Sequence, residues 1–217
     1  MKAGLSRLSL LLLLVLQSSL SNALTVTVLD NKGKALSDIV VYAEPLDQQA
    51  ISKTDKKLVI SQAKKSFTPY ISVAQKGNKL AFSNKDDITH HIYSANAKRK
   101  FAFLIRPGEN IEQPSLETTN EIVMGCNVHD WMSGYLLVVD TPYFDKTASN
   151  GSSTLNIAGK GRYKIIAWHP QLNEKNNRIE QQINITDTQQ VTLKLNKTMH
   201  KIPEQKSEDG FDFLSDY

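Results

Sequence analysis

The chain has 217 residues, of which 40% are hydrophobic and 22% charged, a composition typical of globular proteins rather than fibrous or low-complexity ones. Its formal charge is +4, which is too small, and its charges too evenly spread, to indicate nucleic-acid binding. A single cysteine excludes a disulfide framework, a zinc ribbon and an all-cysteine iron–sulfur site within one chain. Five histidines and four methionines remain as candidate soft metal ligands.

The N-terminus carries the pattern of an export signal. Lys2 and Arg7 precede an apolar run over residues 10–16, and Ser21-Asn22-Ala23 gives a small-x-small cleavage pattern. The apolar run is shorter than the roughly 20 residues that a transmembrane helix needs, and no later segment is long and apolar enough to span a bilayer. We therefore expect a signal peptide over residues 1–23, cleavage after Ala23, no stable membrane insertion and a periplasmic mature protein.

Thirteen short alternating or β-branched runs, separated by turn sequences rich in glycine and asparagine, follow in the mature chain. No long amphipathic helix pattern interrupts them, so the sequence predicts an all-β protein built from sandwiches. The predicted strands cover residues 25–29, 39–43, 57–61, 70–74, 79–83, 91–94, 101–105, 121–124, 135–139, 154–157, 162–168, 178–185 and 190–195. Residues 198–217 are polar and acidic without periodicity, which predicts a disordered tail.

The only cysteine lies in a segment dense in metal-ligating side chains. Cys126, His129 and Met132 follow the spacing Cys-x2-His-x2-Met after a predicted strand. A strand end with a tight loop can direct a thiolate, an imidazole and a thioether to one point. These are three of the four ligands of a blue-copper site, and a second imidazole would complete it.

An upstream segment offers that second imidazole. Asn84 and His90 have the spacing Asn-x5-His, and His91 follows directly. Together with Cys-x2-His-x2-Met, this resembles the cupredoxin family, most closely its amicyanin and plastocyanin branch, over residues 57–140. The resemblance implies a Greek-key β-sandwich and one type 1 copper per chain, bound by His90, Cys126, His129 and Met132. It also implies that Asn84 ties the His90 loop to the cysteine loop by hydrogen bonds from beyond the ligands.

Two other residues near the motif have no ligand role in the resemblance. Trp131 is expected to pack beside the site or lie at its exposed edge, and His91 to point away from His90, because neighbouring strand residues face opposite sides. The sequence also departs from the family at Gly125, since a bulkier residue is common before the cysteine.

The flanking segments resemble a second family. Three segments are similar to the carboxypeptidase regulatory-like, or transthyretin-like, β-sandwich. They are the N-terminal hairpin with its turn at Asp30–Gly33, residues 151–157 and the predicted strand over residues 161–167. The predicted organisation is thus a discontinuous sandwich over residues 24–49 plus 141–197, with a cupredoxin domain inserted at 55–140. The alternative is that the N-terminal strands enlarge the cupredoxin. The arrangement also resembles secreted cupredoxins labelled methylamine-utilisation proteins, although the sequence holds no amine-oxidising machinery.

These patterns favour a periplasmic electron carrier that exchanges single electrons with redox partner proteins not identified by the sequence. Copper storage or delivery, and a nonmetal interaction protein, are the alternatives. Independent catalysis is not expected, because Cys126 and His129 lie too close along one loop for a separately positioned nucleophile and base. The oligomeric state is not predicted.

Overall fold

The computed structural model describes residues 21–95 and 100–205. Within these residues the chain forms strands and one single-turn 3-10 helix at Lys175–Asn177. The strands are β1 (Ser21–Leu29), β2 (Val40–Pro45), β3 (Lys57–Ala63), β4 (Ser66–Thr68), β5 (Ile71–Gln75), β6 (Lys79–Asn84), β7 (His90–Ser94), β8 (Ala102–Ile105), β9 (Asn110–Gln113), β10 (Asn120–Cys126), β11 (Ser133–Val139), β12 (Phe144–Lys146), β13 (Ser152–Ala158), β14 (Gly161–Trp168), β15 (Arg178–Ile185) and β16 (Gln189–Lys194).

The strands form four sheets, which we number in their stacking order. Sheet I has the order β13-β1-β16, and sheet II has the order β12-β2-β14-β15. Sheet III has the order β5-β11-β10-β7-β8, and sheet IV has the order β4-β3-β6-β9. Most neighbouring strands are antiparallel, but β1 with β16, β5 with β11, and β3 with β6 run parallel.

Three apolar layers hold the four sheets together. Leu24 and Val26 of sheet I pack with Val41 and Ile165 of sheet II in the first core. The second core lies between sheets III and IV and is built from β3 to β8, β10 and β11, with Phe82 among its fully buried side chains. A third cluster joins the sandwiches, because β2 and β14 of sheet II contact β5 and β11 of sheet III.

The predicted fold class is confirmed: the protein is all-β and its sheets form sandwiches. The strands β1 and β2 pair with β12, β13, β14 and β16, and with none of the described strands between residues 57 and 139. The sandwich of sheets I and II is therefore discontinuous in sequence, and the sandwich of sheets III and IV is formed by the intervening chain.

The two ends of the chain bear on the predictions of a signal peptide and a tail. Residues 1–20 lie outside the described residues, and β1 begins at Ser21, so the predicted cleavage point after Ala23 falls within this strand. Part of the predicted tail is ordered by contacts: His200 N–H donates to the Gln171 carbonyl, and Gln205 bonds to Ser66 and Ser133. Residues 206–217 lie outside the described residues. Over the described ranges, no helix has the length and hydrophobicity needed to cross a membrane.

Candidate metal centre

Three side chains that can ligate a metal meet in the core between sheets III and IV. The Sγ atom of Cys126 lies 3.7 Å from His90 Nδ1 and 3.9 Å from His129 Nδ1. The three ligand atoms all lie within 4.8 Å of one another. Cys126 is 4% exposed, His90 0% and His129 1%, so the cluster is closed to bulk water.

Strand register brings His90 and Cys126 together. The strands β7 and β10 are antiparallel neighbours, with Cys126 opposite Ile92. His90 and Ile92 lie two residues apart and both are fully buried, because alternate strand residues share a face. His91 consequently points to the other face and is half-buried. Of the two adjacent histidines, the structure places His90 in the cluster.

A tight loop returns His129 to the cysteine. The Asn127 N–H donates to the His91 carbonyl at 3.0 Å, and the Met132 N–H donates to the His129 carbonyl at 3.0 Å. Met132 is 1% exposed and packs in the same apolar cluster as Cys126. The structure thus puts all four predicted ligands at one end of the sandwich.

Burial and hydrogen bonding set the protonation of the cluster. Burial disfavours the charged forms, and it lowers the pKa of His129 to about 4, with the neighbouring His90 adding to the shift. Burial opposes the thiolate of Cys126, but hydrogen bonds from His90 and from backbone N–H groups outweigh it, and the pKa of Cys126 is lowered. For His90, hydrogen bonds to Cys126 and Asp86 outweigh burial, and its pKa is raised. A thiolate beside a neutral His129 is the form in which these residues bind metals.

Asn84 orders the loop before His90, but its contacts differ from the prediction. Its Nδ2 donates to the carbonyls of Ile88, at 2.7 Å, and Ile105, at 3.0 Å. Its Oδ1 accepts the N–H of Asp86. Both amide hydrogens of Asn84 therefore bond to the His90 loop and to β8. The sequence analysis instead predicts a hydrogen bond from Asn84 to the cysteine loop.

Asp86 contacts the site although the sequence analysis does not single it out. Its Oδ2 lies 2.9 Å from His90 Nε2, and its side chain is 10% exposed. In the sequence, Lys85-Asp86-Asp87 is typical of a solvated turn. The sequence did contain one signal for this contact: an acidic residue stands four positions before the candidate ligand His90, in the loop that connects β6 to β7.

The remaining residues predicted around the motif have packing roles. Trp131 lies with its ring centroid 5.1 Å from that of His129, as expected for a residue beside the site. His91 Nδ1 lies 3.0 Å from Asn127 Nδ2 and so helps to hold the start of the cysteine loop. Tyr93 covers Gly125: a Cβ atom added at this glycine would lie 2.6 Å from the phenol ring. This contact accounts for the small residue before the cysteine.

The donor set fits one soft metal ion. Metal bonds of roughly 2.0 Å to imidazole and 2.3 Å to thiolate separate the two ligand atoms by about 3.5 to 3.7 Å at tetrahedral to trigonal angles. The separation of 3.7 Å between Cys126 Sγ and His90 Nδ1 lies at the upper end of this range, and the separation of 3.9 Å between Cys126 Sγ and His129 Nδ1 lies slightly above it. His129 Nδ1 faces the sulfur, while its buried Nε2 has no hydrogen-bond partner in the described structure.

No family model matches the sequence, and no curated protein matches it either. Among solved structures, 84 chains match. A copper-containing nitrite reductase from Thermus scotoductus SA-01 is 18% identical with a TM-score of 0.37, and the match covers 44% of this chain and 25% of the reductase. A purple cupredoxin from Nitrosopumilus maritimus is 19% identical with a TM-score of 0.34, covering 39% of this chain and 100% of that protein.

An amicyanin variant in its reduced state also matches, at 14% identity and a TM-score of 0.35, covering 45% of this chain and 99% of amicyanin. These neighbours include cupredoxins, the family that the sequence motifs resemble. The matched part spans only a quarter of the nitrite reductase. At such low identities and TM-scores, the activities of these proteins do not carry over to this chain.

Proposed function

We propose that this protein is an exported type 1 copper protein that carries single electrons between redox partner proteins. The observation that supports this most is the buried convergence of His90, Cys126 and His129. One thiolate, two imidazoles and the nearby thioether of Met132 form a donor set that suits copper, since soft sulfur ligands favour Cu(I) and imidazole binds both oxidation states. Copper, when bound, would supply reversible one-electron exchange.

The surrounding protein is built to change little during such an exchange. His90 begins one strand and Cys126 ends its neighbour, while the loop with His129 is closed by the backbone hydrogen bond from Met132. Ligands fixed in this way cannot relax toward the geometry that either oxidation state would choose alone. Burial of all three side chains keeps water away from the ion. Both features support electron transfer over catalysis at the copper, and we propose no enzymatic activity.

Copper storage or delivery is the second candidate. A delivery protein must release its ion to an acceptor, which is easier from exposed ligands, whereas Cys126, His90 and His129 are all buried. The basis for an exported location is the predicted signal peptide over residues 1–23.

Electron carriage is tested by loading the purified protein with copper and measuring stoichiometry, reversible voltammetry and electron self-exchange. The proposal expects one copper per chain, a reversible one-electron wave and rapid exchange between oxidised and reduced molecules. Binding of several coppers per chain, or one copper without a reversible wave, would instead support storage or delivery.

A further inference from the structure

The second ring nitrogen of His90 is held by a carboxylate. His90 Nε2 and Asp86 Oδ2 lie 2.9 Å apart, with the imidazole fully buried and the carboxylate side chain 10% exposed. The contact lies on the side of the ring opposite the cysteine, since Nδ1 faces Sγ. Both nitrogens of His90 thus have a dedicated neighbour.

The carboxylate is itself fixed by a separate element. The N–H groups of Lys64 and Lys65 donate to Oδ1 and Oδ2 of Asp86, and these two residues form the turn between β3 and β4. Both have left-handed backbones, with φ of 55° and 56°, which directs successive N–H groups to one anion. The Asp86 N–H donates in turn to Asn84 Oδ1. The position of the carboxylate is therefore set before any metal binds.

Such a contact selects one form of the imidazole. A carboxylate oxygen accepts a hydrogen bond, so Nε2 carries a proton, and Nδ1, which faces the sulfur, is the nitrogen left to bind a metal. A carboxylate behind a ligating histidine also makes the imidazole a stronger donor. His129 lacks this support, because its buried Nε2 has no hydrogen-bond partner in the described residues.

We propose that Asp86 is a positioning residue of the copper centre: it fixes His90 as an Nδ1 ligand and, through its negative charge, favours Cu(II) over Cu(I). The inference rests on the proposed function, because it concerns the same site. It assigns to this chain a built-in device that lowers the reduction potential of the bound copper.

The test compares Asp86→Asn, which keeps an oxygen acceptor and removes the charge, with Asp87→Asn, which removes the same charge from the exposed neighbour. We expect Asp86→Asn to shift the Cu(II)/Cu(I) equilibrium toward Cu(I) by about tenfold, seen as a rise of roughly 59 mV in midpoint potential. Asp87→Asn should shift it by less than a third of that value. Equal shifts in the two variants would overturn the proposal.

Loss of the acceptor is tested with Asp86→Ala, which should weaken copper binding about 10- to 100-fold while Asp87→Ala binds as the wild type does.

A nitrogen-15 NMR spectrum of the metal-free wild type provides a readout that needs neither copper nor a variant. It should show a proton on His90 Nε2, and a His90 without a proton on Nε2 would contradict the proposal. If the wild type binds no copper but shows the proton on His90 Nε2, the proposed function fails while the Asp86–His90 contact stands.

Discussion

Two glycines allow aromatic rings to pack closely against β10 and β11, the strands on either side of the loop that carries His129. Gly125 of β10 lies under the ring of Tyr93, and Gly134 of β11 lies against Phe67. A Cβ atom at Gly134 would be 2.9 Å from the Cβ, Cγ and Cδ2 atoms of Phe67, which is 2% exposed. At Gly125 the clash is with the end of a half-buried side chain that can swing outward. The two positions therefore tolerate a methyl group differently.

We predict that Gly134→Ala lowers the free energy of unfolding by roughly 1–3 kcal/mol, because a fixed buried ring cannot yield. Gly125→Ala should cost clearly less and displace Tyr93 toward solvent. Urea unfolding of both variants measures the difference, and Tyr93→Leu should remove most of the cost at Gly125 in a double-mutant cycle. A larger loss for Gly125→Ala than for Gly134→Ala would mean that the ring of Tyr93 is the more rigid of the two.

A buried histidine outside the candidate metal centre, His169, links stability to pH. Its Nδ1 accepts the Gln171 N–H at 3.1 Å, and burial lowers its pKa to about 4. The unfolded chain, with a histidine pKa of about 6.5, binds more protons than the folded chain between these values. The contribution of neutral His169 is thus present above about pH 6.5 and is lost as the pH falls toward 4.

We predict that His169→Asn, which can keep an oxygen acceptor near the Nδ1 position, loses this part of the pH dependence. Between about pH 7 and pH 5 the wild type should lose roughly 2 kcal/mol more of its unfolding free energy than the variant. Denaturant unfolding at both pH values provides the measurement. His129 titrates in both proteins and cancels in the comparison. Parallel pH profiles would show that His169 is protonated as easily in the folded chain as in the unfolded one.

Among the elements, the sequence predicts every central strand and misses three short edge strands. Each of the thirteen predicted runs overlaps a strand, while β4, β9 and β12 were not expected. All three lie at the edge of a sheet, have three or four residues, and include polar sequences such as Asn110–Gln113. These three strands are short and have a neighbouring strand on one side only, so their hydrophobic pattern is weak. Which strand each of them pairs with depends on how the whole chain folds, and no local sequence pattern specifies it.

The site shows the same division. Spacing on one loop predicts Cys126, His129 and Met132, and alternation along a strand favours His90 over His91, as the structure places them. Asp86 and Tyr93 are not predictable in this way, because their roles depend on which turn and which strand lie beside them. The bonds of Asn84 depend likewise on the approach of β8, which no local pattern specifies.

The contact between the two sandwiches depends on one face of sheet III. Leu137 of β11 is 3% exposed and packs in the cluster with Ile166 and Trp168 of sheet II, whereas Leu104 of β8 is 57% exposed on the edge of the same sheet. We predict that Leu137→Ala lowers the unfolding free energy by about 2–5 kcal/mol. Leu104→Ala, the matched control, should change it by less than about 0.5 kcal/mol. Thermal and urea unfolding measure both variants. If Leu137→Ala and Leu104→Ala lowered the unfolding free energy equally, the contact between the two sandwiches would not stabilise the protein.

At the scale of the whole molecule, the cluster of His90, Cys126 and His129 lies away from the sandwich of sheets I and II, because it is part of the core between sheets III and IV. The sandwich of sheets I and II covers part of the outer face of sheet III, and the side chains of His90, Cys126 and His129 meet within the other sandwich. The C-terminal segment spans both sandwiches through His200 and Gln205.

The visible absorption spectrum of the protein loaded with one Cu(II) tests the central claim most directly. A thiolate bound to Cu(II) in a trigonal site gives an intense charge-transfer band. We predict this band in the wild type and its loss in Cys126→Ser, with circular dichroism of the variant unchanged. A wild type that holds one copper without the band, or a Cys126→Ser variant that keeps it, would contradict the assignment of His90, Cys126 and His129 as a blue-copper centre.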